Sequence, residues 1–464
     1  MTQSVVVSTS SSELQTDSGS IHGTLSTKEL SNLPIGGYGN YQSLFNLVPG
    51  ATPSRYQNAV MDTPSRSLTT NINGASRTGN VTSVDGAAIQ QVYLPHHTLY
   101  NPPTEDIQSV DIVTNSFAAE QGLAGGAAVS VLTKSGTNNF HGTFWEQHTN
   151  SAMAARNYFY NKTYFAQAGN APPKNILNQF GANLGGPVLH DKLFFFSGFE
   201  GISQRQLYAT LVSVPTDAER AGDFTGSAPL YDPSTGNPDG SGRKTLASEN
   251  VDGKNAIERG ISPAANKMLA LLPHANLPGT SSNYSVAGIN SLDRFSFDEK
   301  LTWQIDSKSS LFGKMSYLVA DVKAPSTLGV GGGSGLISGG GSGYSQSHVI
   351  VGGLGYTRVI SPSLLFDANF GIGRNHVSVY EADFASNLGP GLGIPGTNGD
   401  RNGAYGPDPN QNGLPSIAVS GFETFGNPDS WTPELRDDYT YTYVGNLTWS
   451  HRAHNVSLRH PNAQ

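Results

Sequence analysis

The residues of this chain that could do chemistry are few, and their settings work against them. Gly391-Leu392-Gly393-Ile394-Pro395-Gly396 spells a dinucleotide-binding string, but Pro395 and the surrounding glycine-proline tract oppose the strand-to-helix turn such a site needs. Asp408-Pro409-Asn410-Gln411-Asn412-Gly413 begins like a calcium loop, yet its twelfth position is Val419 where a bidentate acid is required. Ser334 and Ser342 sit in glycine tracts without completing a nucleophile elbow. His96-His97 and the His451/His454 pair lack the further ligands of a metal site. No phosphate loop occurs. The sequence therefore predicts no catalytic residue, no metal and no cofactor, and points to binding rather than catalysis.

Composition argues the same way. Charged residues make up 13% of the 464 residues, about half the roughly 25% of ordinary soluble domains. The 55 glycines and the 20 Phe and 19 Tyr residues suit many strands with bends and polar turns. A net charge of −8 offers no basic face for nucleic acid. There is no cysteine, hence no disulfide and no thiolate site. No run of 18 apolar residues exists to form a transmembrane helix. Barrel strands are short and alternate, so they leave only a weak hydropathy signal. Met1 to Asp17 has neither a basic start nor an apolar stretch, so no secretory signal is expected within it.

Two regimes of sequence follow one another, joined by Thr133-Lys134-Ser135-Gly136-Thr137-Asn138-Asn139-Phe140-His141-Gly142. Before the junction the pattern is a small mixed α/β unit. Val5-Val6-Val7 reads as a short strand, Thr27 to Leu30 as a helical turn, and Tyr41 to Val48 as a short amphipathic helix stopped by Pro49-Gly50. Asn71-Ile72-Asn73-Gly74 and Val84-Asp85-Gly86 are turns flanked by strand residues. Ile107 to Asn115 and Ala127 to Lys134 are strands.

After the junction the period is two. Phe295, Phe297, Leu301, Trp303 and Ile305 face one way, against Arg294, Ser296, Asp298, Lys300, Thr302 and Gln304. Leu364, Phe366, Ala368, Phe370 and Ile372 oppose Asp367, Asn369, Gly371, Gly373 and Asn375. Tyr439, Tyr441, Tyr443, Leu447 and Trp449 oppose Thr440, Thr442, Asn446 and Thr448. Strands of about 10 residues, apolar outward and polar inward, are the mark of an outer-membrane barrel; a soluble sandwich gives the same period. Loop lengths separate the two. Short turns at Asp306-Ser307 and Ser361-Pro362 alternate with long polar stretches near 215–290, 322–345 and 381–437, as periplasmic turns alternate with extracellular loops. The segment 262–272, Ser262-Pro263 followed by Met268, Leu269, Leu271 and Leu272, is a capped helix inside one loop.

A series of short motifs in fixed order then carries a resemblance. It comprises Leu14-Gln15-Thr16-Asp17, Leu33-Pro34, Leu47-Val48-Pro49-Gly50, Asn73-Gly74 with Arg77, Val84-Asp85-Gly86 and Ala119-Glu120-Gln121-Gly122. The lysine-serine-glycine junction follows, then Asn178-Gln179-Phe180-Gly181, Gly185-Gly186-Pro187 and Asp191-Lys192-Leu193-Phe194-Phe195-Phe196. Nearly the whole chain resembles the Oar-like TonB-dependent transporters, abundant in Acidobacteria. The resemblance implies a mainly β protein of the cell outer membrane: a remnant linker over 1–25, a mixed α/β plug domain over 26–135, and antiparallel transmembrane β-barrel strands over 140–464. It implies as partners TonB with its ExbB-ExbD energising complex, outer-membrane lipid and a large ligand of unknown identity. Asn73, Arg77 and Asp85 would line the ligand path through the plug or hold its turns; Arg294, Asp367 and Asn369 would face the lumen.

The family's signal peptide and its upstream regulatory-like β-sandwich are not found in this sequence. The alternating segments number about nine, against roughly 22 in a closed barrel of this kind. The expectation is accordingly an incomplete barrel and a fragment of a longer protein. A surface-exposed adhesion or structural protein, and a non-functional truncated remnant, are the alternatives.

Overall fold

The computed structural model describes residues 21–460 except 34, 37, 57, 116, 118–123, 156–172, 395, 398–412 and 452–453. The expected strand at Val5 to Val7, the Ala119 to Gly122 motif and most of the Asp408 to Gly413 string lie outside the described residues. The protein is mainly β, and its strands form two sheets.

The first sheet has five strands in the order β1-β4-β5-β2-β3: β1 (Ile21–Ser26), β2 (Asn80–Val84), β3 (Ala87–Ala88), β4 (Ile107–Asn115) and β5 (Ala127–Thr133). β2 runs parallel to β5, and the remaining pairs are antiparallel. β1 begins at Ile21, inside the stretch expected to be linker, because its backbone pairs with β4 from Asn115 to Ser109. The short helix expected at Tyr41 to Val48 forms over Tyr41–Leu47 as a 3₁₀ helix. Asn40 caps its first turn, and Pro49-Gly50 stands just beyond its C-cap Val48. The helix Thr27–Asn32 opens with a reciprocal capping box between Ser26 and Glu29.

The second sheet is a nine-stranded antiparallel meander in which each strand pairs with its neighbours in sequence. Its members are β6 (His141–Asn150), β7 (Asn175–Leu189), β8 (Leu193–Val212), β9 (Tyr284–Asp306), β10 (Ser309–Ala324), β11 (Gly343–Ser361), β12 (Leu364–Tyr380), β13 (Glu434–His451) and β14 (His454–His460). Strands β7 to β13 run to 15–23 residues, longer than the ten expected. The long loops are correspondingly shorter than their expected bounds. Residues 284–290, 322–324, 343–345 and 434–437 are strand, leaving loops over 213–283, 325–342 and 381–433.

The sheet curls around the first unit. Its outward face carries exposed Phe295, Phe297, Leu301, Trp303, Met315, Leu354, Phe370, Tyr441 and Tyr443. Its inward face carries buried Glu200, Arg294, Asp298, Lys300, Lys314 and Ser316. One apolar core spans both sheets: Leu30, Tyr41, Val84, Ile107, Val110 and Ile112 of the first unit pack with Leu318 and Ala320 of β10 and Val349 and Val351 of β11. Burying that apolar surface is the sequence-independent part of what keeps the two units together.

Candidate functional site

The hairpin β2-β3 lies directly against the inner wall at β12 and β13. Its turn, Val84-Asp85-Gly86, needs positive φ at Asp85 (46°) and Gly86 (85°), the geometry of the two-residue turns that aspartate-glycine pairs favour. The wall meets it with glycine. A Cβ placed on Gly371 of β12 would stand 2.6 Å from Ala87 Cα, so only glycine lets the hairpin lie against that strand. The Ala88 N–H then donates to Thr442 Oγ1 of β13 at 3.0 Å.

Asp85 is the hub of the contact. Its carboxylate accepts from the Thr133 hydroxyl at 2.5 Å and the Thr133 N–H at 3.2 Å, tying the turn to the end of β5. Lys300 Nζ of β9 reaches Oδ1 at 2.9 Å, and Lys314 Nζ of β10 lies 3.3 Å from Oδ2. Lys314 also stands 3.6 Å from Asp298 and makes no hydrogen bond of good geometry, so charge alone holds it. Asp298 in turn accepts from the hydroxyl of Tyr100, a fully buried residue of the first unit. Side-chain exposure across these four charged groups is 1–7%. Burial opposes ionisation of Asp85, but Lys314, Lys300 and the Thr133 hydroxyl outweigh it and hold the carboxyl below its ordinary range. Two carboxylates answer two ammoniums, Asp85 from the first unit and Asp298, Lys300 and Lys314 from the neighbouring wall strands β9 and β10; a cluster balanced in this way is stable only while every member stays in place.

Two further clusters flank this one. Glu200 of β8 accepts from Gln179 of β7 at 2.8 Å and pairs with Arg294 of β9 at 3.1 Å. Arg294 donates on to the Ser65 carbonyl at 2.9 Å, and Gln179 to the Tyr38 carbonyl at 3.0 Å. Nearer the short turns, Asn183 of β7 donates to Asp106 at 2.8 Å. Asp106 is fully buried, and its second carboxyl oxygen has no hydrogen-bond partner. Burial, with the Asp298 carboxylate adding to it, pushes the Asp106 carboxyl well above its ordinary range. At the opposite end, Asp62 pairs with Arg436 of β13 at 3.0 Å.

The six residues singled out from sequence fall into three groups. Asp85 and Arg294 are buried at the interface and are clamped. Asn369 and Asp367 are half-buried on the inner face of β12. Asn369 lines a crevice of about 200 Å³ between the hairpin and β12–β13, together with Ser83, Gly86, Ser130, Thr442 and Asn446; Asp367 accepts from Asn446 at 2.9 Å. Asn73 lies in its own turn at φ 52°, its amide donating to the Thr114 carbonyl at 3.1 Å within the first unit. Arg77 opens a short 3₁₀ turn, Arg77–Gly79. Lys300, Lys314, Asp298, Glu200, Gln179 and Tyr100 were not singled out. Lys300 and Asp298 share the inward parity of Arg294, which was their available signal. Nothing local marks Tyr100.

Among the described residues no group of three His, Cys, Asp or Glu could hold a metal ion, and no helix is long and apolar enough to cross a membrane. His97 is buried against His96, their rings 4.2 Å apart, and burial lowers its pKa to about 3.

Comparison with known proteins was made against this geometry. Residues 132–458 match the outer membrane beta barrel domain family. The TonB-dependent transporter Oar of Myxococcus xanthus is 30% identical over 183 residues, which cover 39% of this chain and 16% of that protein. Among solved structures, the outer membrane transporter YddB from Escherichia coli aligns with a TM-score of 0.51 at 12% identity, over 94% of this chain and 47% of that one. A ferric enterobactin receptor from Pseudomonas aeruginosa aligns at 0.48 and 11% identity, over 94% and 48%. The chain thus spans about half the length of these structures, and the part matched in Oar is a smaller share still.

Proposed function

The chain belongs to the outer membrane beta barrel domain family and is a TonB-dependent receptor-like protein of the outer membrane; from that premise we propose that it is the gated part of an energy-coupled receptor that imports a large ligand. In this reading residues 26–135 are a plug and the strands from 140 onward are the wall around it. TonB, driven by ExbB-ExbD, pulls the plug aside, and the chain binds and passes its ligand without chemistry. The observation that carries the reading is the Asp85 cluster. A turn of the first unit is fixed to two wall strands by buried charges, which resist thermal opening yet release together once displaced into water. The crevice beside it, lined by Asn369 and Thr442, is the proposed path, with Asp367 below it. Arg294 and Asp85 act as anchors, and Asn73 and Arg77 shape turns of the plug.

None of these 464 residues is cysteine, so a cysteine placed among them can be read on its own peptide. Thr442 is 2% exposed and covered by the hairpin. In the full-length protein in its outer membrane, Thr442→Cys should react with a maleimide in cells with TonB and stay protected in cells lacking it. Equal reactivity in both would overturn the energy-coupled reading.

A further inference from the structure

The loops beyond the wall enclose a second site of different chemistry. A cavity of about 260 Å³ lies between the loops over 213–283 and 381–433, with Leu328 of the loop over 325–342 at its edge. Its walls are Phe224, Ile261, Met268, Leu269, Leu272 and Phe422. Helix Pro263–Leu271 is amphipathic but buries none of its residues fully, so Met268 and Leu269 keep an apolar surface turned to the cavity.

The cavity is built rather than a gap between mobile loops. Arg220 donates to the Leu269 and Leu272 carbonyls at 2.7 and 3.1 Å, fixing the C-terminal end of the helix, while Ser262 and Pro263 fix its start. Asn283 both accepts from and donates to the Val214 backbone, at 2.8 and 2.9 Å. The Glu423 N–H donates to the Ser213 carbonyl at 2.9 Å, joining two loops far apart in sequence. A pocket organised in advance spares its ligand the ordering cost.

Charge selects the occupant. Among the described lining residues there is no Lys, Arg or His, and the two acids are already engaged. Glu219 accepts from the Thr216 N–H at 2.8 Å and from its hydroxyl at 3.0 Å, and Glu423 from the Ser334 N–H and hydroxyl at 2.8 and 2.6 Å. An anion would find no partner here, and a cation only carboxylates held by other donors. Benzene fills an apolar cavity of about 150 Å³, so this volume takes one aromatic ring with a short aliphatic arm. We infer that the loop cavity binds an uncharged aromatic group of a solute arriving from outside the cell. The site goes beyond the gating reading and does not depend on energy coupling.

The test uses the full-length protein in detergent, a neutral alkylphenyl trifluoromethyl diazirine and the para-carboxylate of that probe. Photolabelling of peptides covering 257–272 and 417–425 should saturate, whereas labelling of the outward apolar strands should rise linearly with probe. Ala265→Trp, which fills the cavity, and Met268→Glu, which places an acid in it, should each cut loop labelling at least tenfold. Phe422→Trp on the opposite wall should do the same without touching the helix. The carboxylate probe should label the loops at least tenfold less than the neutral one. Unsaturable loop labelling, equal labelling by both probes, or labelling unchanged in Ala265→Trp and Phe422→Trp would overturn the inference. None of these outcomes bears on TonB dependence, so failure here is distinct from failure of the gating reading.

Discussion

Along the same strands the sheet reverses its chemistry. Toward the short turns of β9, the outward positions Phe295, Phe297, Leu301 and Trp303 are exposed and apolar, while Arg294, Asp298 and Lys300 are buried inside. Toward the long loops the order inverts. Leu292, Val322, Ala324, Val377 and Val379 are buried inside and pack on Val60 and Met61 of the first unit. Outside, Arg205 pairs with Asp293, Gln346 bonds Asp321, and Arg374 pairs with Asp437. One region presents an apolar face outside and a charged contact inside; the other presents polar pairs outside and, beside the buried Asp62–Arg436 pair, an apolar core inside. The outward face changes character near the exposed Tyr439, Tyr441 and Tyr443, and outer-membrane barrels carry aromatic girdles at the edges of their apolar band. The inner half of the comparison carries the specificity. Apolar contacts at the mouth tolerate exchange of one apolar side chain for another, whereas each buried charge needs a group of opposite sign at a fixed position.

The sharpest way to break this comparison is to remove the hub. Asp85→Ala removes the ion pair of Lys300 and leaves Lys314 with Asp298 alone, 3.6 Å away, and should cost about 3–5 kcal/mol, the range for breaking a buried ion pair. Guanidinium titration of the detergent-folded protein would read it. On the outer face of the same level, Phe297→Arg should cost about 2–4 kcal/mol if that position meets the bilayer core. The same change at Asp321, beyond the boundary, should be close to neutral, and folding yield into lipid vesicles separates the two.

A smaller effect is expected from acid. Because the Asp106 carboxyl is held above its ordinary value near 4, the folded state keeps a proton the unfolded chain has lost. Stability contributed there falls as pH rises from about 4 toward the raised folded value, and Asp106→Asn should flatten that slope. Asp85 has the opposite sign: its depressed carboxyl contributes fully above about pH 4, and the contribution is lost as acid protonates it. Unfolding midpoints measured from pH 2 to pH 8 would show both behaviours, Asp85 below about pH 4 and Asp106 above it. Smallest of all, Asp293→Ala removes a half-exposed surface pair and should change stability by about 0–1 kcal/mol.

The bilayer-level half of the wall was legible because lipid outside and polar contact inside impose strict alternation, as at Phe295 to Gln304. The loop-side ends of β9, β10, β11 and β13, at 284–290, 322–324, 343–345 and 434–437, were read as loop for the complementary reason. At Asp321, Lys323 and Gln346 the outward residues turn polar, so segments that remain paired strand look like polar connections. The turn at Asp85 was visible from its aspartate-glycine pair. Its lysine partners were not, because pairing across a lumen leaves no local trace beyond inward parity. Tyr100 and Gln179 enter the interface through backbone positions fixed only by the tertiary fold, and the loop cavity depends on clamps such as Arg220 to Leu269 that span separate segments.

The Asp85 cluster should hold the first unit inside the wall as a body separable from it. Hydrogen exchange of the intact protein and of Asp85→Ala, followed by mass spectrometry of peptides from 21–133 and from 141–451, tests it most directly. The variant should lose protection in the first unit, above all around 80–90 and 127–133, while the outward-facing wall strands β7 to β12 keep theirs. Equal loss in both units, or no loss in either, would contradict it.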